Sequence, residues 1–286
     1  MELPGIGIYE PTLRFGESDD IARQAATIEE LGYGAVWIPD IGGDVIGAVD
    51  LVLSATRRIS VGTGVVNLWM HDPSTIASGR ESLIARHGRE PLLGLGVSHK
   101  PLVDSLTPGR FEKPLQSTMA YLDALDTATP PLGPEDRLLA ALRPRMLELA
   151  RDRCAGAFPY HMTPEHTERA RAALGPDKLL VVEQPVAVGP DIDAARALAR
   201  EQLAMYLALP NYVNAWRWLG FSEQDMAGGG SDRFVDAVFV TGDEDTLRRR
   251  MAAHRDAGAD HVCVQVLAAD SSARTAAWRR LAPVLL

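Results

Sequence analysis

The chain lacks the features that would mark a disulfide-framed, membrane-spanning or nucleic-acid-binding protein. It has only two cysteines in 286 residues, Cys154 and Cys263. So few, so far apart, make no disulfide framework and read as reduced core residues. No apolar run is long enough to cross a bilayer, which argues against a membrane protein. The first residues, Met1-Glu-Leu-Pro-Gly5, carry neither a basic region nor a signal-like apolar stretch, so the cytoplasm is the expected compartment. Positive charge is also short. Lys and Arg number 29 against 38 Asp and Glu, a net charge of −9, which disfavours nucleic acid as a partner because phosphate neutralisation needs a basic surface. An anionic small molecule needs only a local cluster of donors and stays open.

What is present is a long alternation of apolar segments. Hydrophobic residues make up 46% of the chain with no break in composition, enough for one large α/β barrel or two ordinary domains. Buried strands are expected at 5–10, 35–38, 59–67, 91–97, 137–142, 154–159 and 179–187. Between them lie helices: one capped by Ser18, one over 48–56, and one opened by Asp72-Pro73. Others span 114–125 and 144–153, run from Thr163 to Gly175, and start at Asp191. A polar connection runs from Ser98 to Lys113. Leu31-Gly-Tyr-Gly-Ala-Val-Trp-Ile38 and Ala257-Gly-Ala-Asp-His-Val-Cys-Val264 share one plan, helix end, glycine, then buried strand, and Thr241-Gly-Asp-Glu244 offers a capping box to the second unit. About eight such units in one domain, 1–286, predict a (β/α)8 TIM barrel with its active site beyond the C-terminal strand ends. Residues 207–234, with Trp216, Trp218, Phe221 and Gly228-Gly-Gly230, break the rhythm and are expected as an irregular cap, a subunit contact or a pocket wall.

The central stretch is Ile59-Ser-Val-Gly-Thr-Gly-Val-Val-Asn-Leu-Trp-Met-His71. Its β-branched run reads as a strand buried on both faces, and Gly62 and Gly64 remove side chains where a backbone or flat ligand can approach. Residues that follow predicted strands are the candidates for chemistry: Asp40, Asn67, Trp69, His71, Ser98, His99, Tyr160 and His161. A carboxylate among imidazoles suits acid–base work or a metal, although no His-x-His or helical His-x-x-x-His spacing supports a metal. For any one of these histidines, a loop-capping role competes with catalysis. Gly94-Leu-Gly-Val-Ser-His99 lacks the third glycine of a dinucleotide fingerprint and the acidic residue beyond it, so that fold is rejected. In Arg143-Pro-Arg-Met146 the proline suits a first helical turn, whose free N–H groups can receive a phosphate or carboxylate with Arg143 or Arg145 assisting. Two solvated arginines are the plainer alternative.

Taken together, Leu31–Asp40, Gly62-Thr-Gly-Val-Val-Asn67, Leu93–His99, Thr107-Pro-Gly-Arg-Phe-Glu-Lys-Pro114 and Phe158-Pro-Tyr-His-Met-Thr-Pro-Glu-His166 resemble the luciferase-like family of flavin- and deazaflavin-dependent oxidoreductases. The likeness covers nearly the whole chain and is nearest the actinobacterial branch that uses coenzyme F420, an 8-hydroxy-5-deazaflavin with a phosphate-bearing tail. The resemblance implies a bacterial-luciferase-like barrel with loop insertions at the C-terminal strand ends. It also implies a non-prolyl cis peptide at Gly64–Val65 under the central ring, and Asp40 near the pyrimidine edge or the reacting face. Asn67, Val97, Ser98, His99 and Tyr160 would line the cofactor, and Leu142, Arg143, Pro144, Arg145 and Met146 would form the phosphate turn. The connection 98–113 would be a flap. Relatives are commonly dimers, so a homodimer is expected. The implied reaction is hydride transfer between C5 of the deazaflavin and a small alcohol, carbonyl or activated alkene, with Asp40 and His99 as leading proton carriers.

There are departures from the family pattern. Ile41 stands where sugar-phosphate oxidising relatives have histidine, the glutamate they carry near His99 is absent, and Arg143 replaces a glycine of the phosphate turn. Three rivals therefore remain: an FMN-dependent monooxygenase, a metal-dependent barrel hydrolase using Asp40, His71, His99 and His161, and a non-catalytic cofactor-binding protein.

Overall fold

Nine parallel strands account for the sheet in a computed structural model that describes residues 3–189 and 191–286. They are β1 (Ile6–Tyr9), β2 (Ala35–Ile38), β3 (Ser60–Asn67), β4 (Leu92–Gly96), β5 (Arg137–Leu139), β6 (Gly156–Ala157), β7 (Leu179–Val188), β8 (Val240–Gly242) and β9 (His261–Val266). Strands β1 to β7 pair in sequence, β7 pairs with β9, and β9 returns to β1. These eight strands close a barrel, and helices cover it between successive strands, as the (β/α)8 expectation requires. The short β8 lies beside the C-terminal end of β7, with Val240 opposite Val186.

Side-chain alternation explains why the strands close in this way. On β2, Val36 and Ile38 point outward into the layer shared with helices Ser18–Glu30 and Val45–Ala55, while Ala35 and Trp37 point inward. Tyr9, Trp37, Leu92, Leu138, Phe158, Val181 and Cys263 fill the barrel interior. Both faces of each strand are therefore buried, which is why the strands read as continuous apolar runs rather than as alternations. Both cysteines are buried free thiols.

The helix termini follow the local chemistry. Asp72 Oδ1 accepts the Ser74 N–H at 2.9 Å, Pro73 opens the helix Pro73–His87, and Gly88 closes it at φ 61°. Gly32 and Gly258, matched in the two similar units, adopt φ values of 92° and 97°, a region that side-chain-bearing residues avoid. Those two positions are what the likeness between the units reflects.

Several details depart from the sequence reading. The helix expected from 48 starts earlier, at Val45, because Asp44 accepts the Gly47 N–H. Ser18 is the first residue of its helix, behind Glu17, rather than its cap. The helix after β8 is capped by Asp243, which accepts from Thr246, so Thr241 is not the cap. The connection 98–113 contains a helix, Lys100–Leu106, and strands β5 and β6 are shorter than expected, ending as Arg137–Leu139 and Gly156–Ala157. The stretch 207–234 is not irregular. It holds helices Pro210–Leu219, Glu223–Met226 and Asp232–Val238, opened by Pro210, Ser222 and Ser231. These ordinary cap signals were hidden among aromatic residues and three glycines. With helix Ile192–Leu207 the stretch builds a separate apolar layer around Trp216, Phe234 and Phe239.

Candidate active site at the C-terminal strand ends

The floor of the site is a bulge in β3. Pairing with β4 runs Thr63 to Leu93 and then Val66 to Leu95, so β3 carries one extra residue there. The Gly64–Val65 peptide within it is cis, at the position the family resemblance implied. Glycines on the neighbouring strand β4 leave the bulge its room. A Cβ on Gly96 would lie 2.6 Å from Val65 Cγ2, and one on Gly94 would lie 2.3 Å from the Thr63 carbonyl oxygen. The Gly94-Leu-Gly96 pattern thus serves the bulge and not a dinucleotide. Gly62 has a related role, since a Cβ there would meet the Trp37 ring at 2.5 Å. On the barrel side of Gly64 lie the rings of Tyr9 and Phe158.

Asp40 ties this floor to β2. Its Oδ2 accepts the Asn67 N–H at 3.0 Å and faces His71 Nε2 at 2.7 Å. Its Oδ1 faces Arg14 Nη2 at 3.6 Å and accepts the Gly42 N–H at 3.4 Å. The carboxylate is buried and engaged by four donors, and its own N–H donates to the Val65 carbonyl at 3.3 Å. This arrangement positions the bulge. Asn67 is anchored through its backbone and its Oδ1, which accepts the Trp69 N–H at 3.2 Å, while its buried Nδ2 has no partner. Trp69 Nε1 in turn donates to the Val97 carbonyl at 2.8 Å. Ser98 turns the chain at φ 51°.

Over this floor stands a cluster of rings. Tyr160 lies 5.2 Å from Tyr9, and its hydroxyl donates to Gln265 Oε1 at 2.7 Å and meets the Tyr206 hydroxyl at 3.0 Å. His161 packs against Tyr160 at 4.0 Å and Tyr206 at 4.3 Å. His99 faces Tyr212 at 5.4 Å and Tyr206 at 6.4 Å. Burial lowers the His99 imidazole to about 4, so the ring is neutral at pH 7 and offers one hydrogen-bond donor and one acceptor nitrogen. Behind His161, on β7, is Glu183. It is fully buried, and desolvation raises its carboxyl well above the usual range.

The third part is the start of helix Pro144–Arg153. Arg143 is its N-cap without a side-chain cap, and its carbonyl accepts the N–H groups of Met146 and Leu147 at 3.0 and 3.1 Å. Arg143, Pro144 and Arg145 are exposed, and among the described residues neither guanidinium has a carboxylate partner. Buried His166, lowered to about 4, is neutral and donates through Nε2 to the Leu142 carbonyl at 2.9 Å, which pins the turn. Leu142 and Tyr160 both pack against the 207–234 layer.

The structure therefore gathers Asp40, Gly64, Val65, Asn67, Val97, Ser98, His99 and Tyr160 at one end of the barrel, with the 142–146 turn on the same strand-end face. His71 belongs to the Asp40 clamp. Among the described residues no three His, Cys, Asp or Glu side chains are grouped to hold a metal. Residue types alone left Glu183, Tyr206, Tyr212 and Gln265 unmarked. A glutamate inside the run Leu179–Ala187 was the one usable signal, because an ionisable side chain seldom sits in a doubly buried strand without a task.

A barrel with a bulged third strand, a ring-lined mouth and an anion-ready helix start is the framework of a cofactor-dependent oxidoreductase. The comparisons agree. The luciferase-like monooxygenase family profile matches residues 8–261, and the chain belongs to that family and is an enzyme. It is 24% identical over 318 aligned positions to the coenzyme F420-dependent oxidoreductase Rv3520c of Mycobacterium tuberculosis, covering 88% of this chain and 91% of that one. Its fold matches an F420-dependent secondary alcohol dehydrogenase, solved with an F420–acetone adduct, with a TM-score of 0.76, 13% identity and full coverage of both chains. It also matches the FMN-bound oxygenating constituent of 3,6-diketocamphane monooxygenase from Pseudomonas putida, with a TM-score of 0.70, 14% identity and coverage of 100% and 98%.

Proposed function

We propose that this enzyme binds coenzyme F420 at the β3–β4 floor and oxidises or reduces a small alcohol, carbonyl or activated alkene. The observation that carries the reading is the set of donors left without partners around that floor: Asn67 Nδ2 and His99 Nδ1 are buried and unsatisfied, and Arg143 and Arg145 stand exposed at a helix start. Buried polar groups in folded proteins are paired, so atoms like these fit a ligand with a polar ring edge and an anionic tail. Asn67 and Ser98 would hold the ring edge, Val65 and the bulge its face, and the 142–146 turn the phosphate through N–H groups and arginine. The relative named as an F420-dependent oxidoreductase supports the choice of deazaflavin over FMN.

When bound, the deazaflavin supplies a hydride acceptor or donor at C5. The chain's own residues do the rest. Asp40 fixes the bulge under the ring, and Tyr160, Tyr206 and Tyr212 exclude water from the mouth. Neutral His99 can hydrogen-bond a substrate oxygen beside the same ring cluster. FMN-dependent oxygenation is the second reading, favoured by the FMN-bound structural relative. Turnover of the F420-loaded protein with a panel of secondary alcohols and enones, followed by loss or gain of deazaflavin absorbance, tests the activity. Oxygen consumption with FMN and no response with F420 would overturn it.

A further inference from the structure

The seven histidines divide into two groups. His71, His87, His166, His254 and His261 each have a ring nitrogen engaged by Asp40, Asp50, the Leu142 carbonyl, Gln184 and Trp37 respectively. His99 and His161 have no ring hydrogen bond among the described residues, and in His161 both nitrogens are buried and unpartnered. These two belong to the same ring cluster, since both face Tyr206 and Tyr212.

His161 is held with care despite its unused ring. Its N–H donates to Glu183 Oε2 at 2.9 Å, and its carbonyl accepts from Trp216 Nε1 at 3.2 Å. Its backbone adopts φ 58°, a conformation unfavourable for a residue with a Cβ and one that concentrates at functional sites. Its Nδ1 lies 3.5 Å from Glu183 Oε2, and Glu183 Oε1 has no partner. Each of the other five engages at least one ring nitrogen, and His161 engages neither.

We propose that His161 and Glu183 form the proton relay of this site, with His161 Nε2 facing the substrate oxygen and Glu183 as the proton store behind it. The assignment rests on the F420 reading and adds two residues to it. When a carbonyl carbon receives hydride from the reduced deazaflavin, the C=O π pair moves onto oxygen. The oxygen takes the proton from His161 Nε2, Nδ1 takes the proton of Glu183, and Glu183 is left as a carboxylate that solvent reprotonates. Alcohol oxidation runs the same path backwards. The surroundings suit a store that is neutral when full. The titratable groups nearest Glu183 are Tyr9 on β1, Tyr160 after β6, Tyr206 and Tyr212 in the 207–234 layer and the helix before it, Cys263 on β9, and the two imidazoles. Burial favours the neutral form of each.

Glu183→Gln keeps the acceptor for the His161 N–H and removes the proton store. His161→Asn tolerates the left-handed backbone and removes the imidazole. Each is expected to lower kcat by roughly 10²-fold or more, to flatten the pH dependence of kcat, and to leave the F420 dissociation constant within about twofold. Infrared difference spectra of the cofactor-free protein provide an activity-independent readout: a protonated carboxyl band at neutral pH that disappears in E183Q. Wild-type kcat and pH profile in both variants, with F420 still bound and turned over, would overturn the relay alone. A missing carboxyl band would also overturn it. Failure of the wild type to bind F420 would overturn the underlying reading as well.

Discussion

Asn67 shows how much one side chain can carry. Its backbone, through Asp40, and its Oδ1 hold the end of β3, and only Nδ2 remains for a ligand. Asn67→Ala is expected to weaken F420 binding by about tenfold, the size of one hydrogen bond whose buried partner is then left unmet. Fluorescence titration of the variant checks this, and unchanged affinity would remove Asn67 from the ring contacts. Arg143→Ala with Arg145→Ala should weaken binding by a further tenfold or more and reduce its salt dependence, as loss of charge-assisted contacts to a phosphate does. Asp40 and His99 were legible from their place after strands. Glu183 was not, because the partner that gives it meaning, His161, is 22 residues away in sequence and meets it only once β6 pairs with β7.

At the scale of elements, the strands and most helices were legible because burial on both faces leaves apolar runs and because Asp, Ser, Pro and Gly mark the ends. What was not legible was the purpose of glycines. Gly94 and Gly96 were rejected as a nucleotide loop and left without another role, yet their space belongs to Val65 and Thr63 on the neighbouring strand, a contact invisible in one dimension. Gly96→Ala puts a methyl 2.6 Å from Val65 and 2.9 Å from Ala140. Overpacking of this kind costs about 1–3 kcal/mol, so the melting temperature should fall by several degrees, roughly 2–4 °C per kcal/mol for a chain of this size. F420 affinity should fall with it as Val65 is pushed from the floor. Calorimetry and titration on the same sample read both, and a stable variant with wild-type affinity would contradict the packing role.

For the molecule as a whole, buried ionisable groups set the response to acid. His161, His166, His254 and His261 all have lowered values, with His166 and His261 at about 4 and His254 at about 3. Each therefore contributes stability above the unfolded histidine value near 6.5 that is lost as pH falls toward the folded value. Glu10 and Glu183 are raised by burial and act in the opposite sense, their contribution being lost as pH rises. Five imidazoles, His99 among them, outnumber the carboxyls raised by burial and dominate. Stability should fall between pH 6.5 and 4.5 by on the order of 1–3 kcal/mol per pH unit, seen as a drop in melting temperature across that window. A flat or rising profile would show that the buried histidines titrate normally.

The central claim is that the β3–β4 floor holds a deazaflavin. Parallel titration of the purified protein with F420 and FMN, read by cofactor fluorescence, tests it most directly. Saturable quenching by F420 at stoichiometric sites, much weaker binding of FMN, and loss of the F420 response in Asn67→Ala and in the paired arginine variant are the predicted results. Tight FMN binding with no F420 response would contradict the claim.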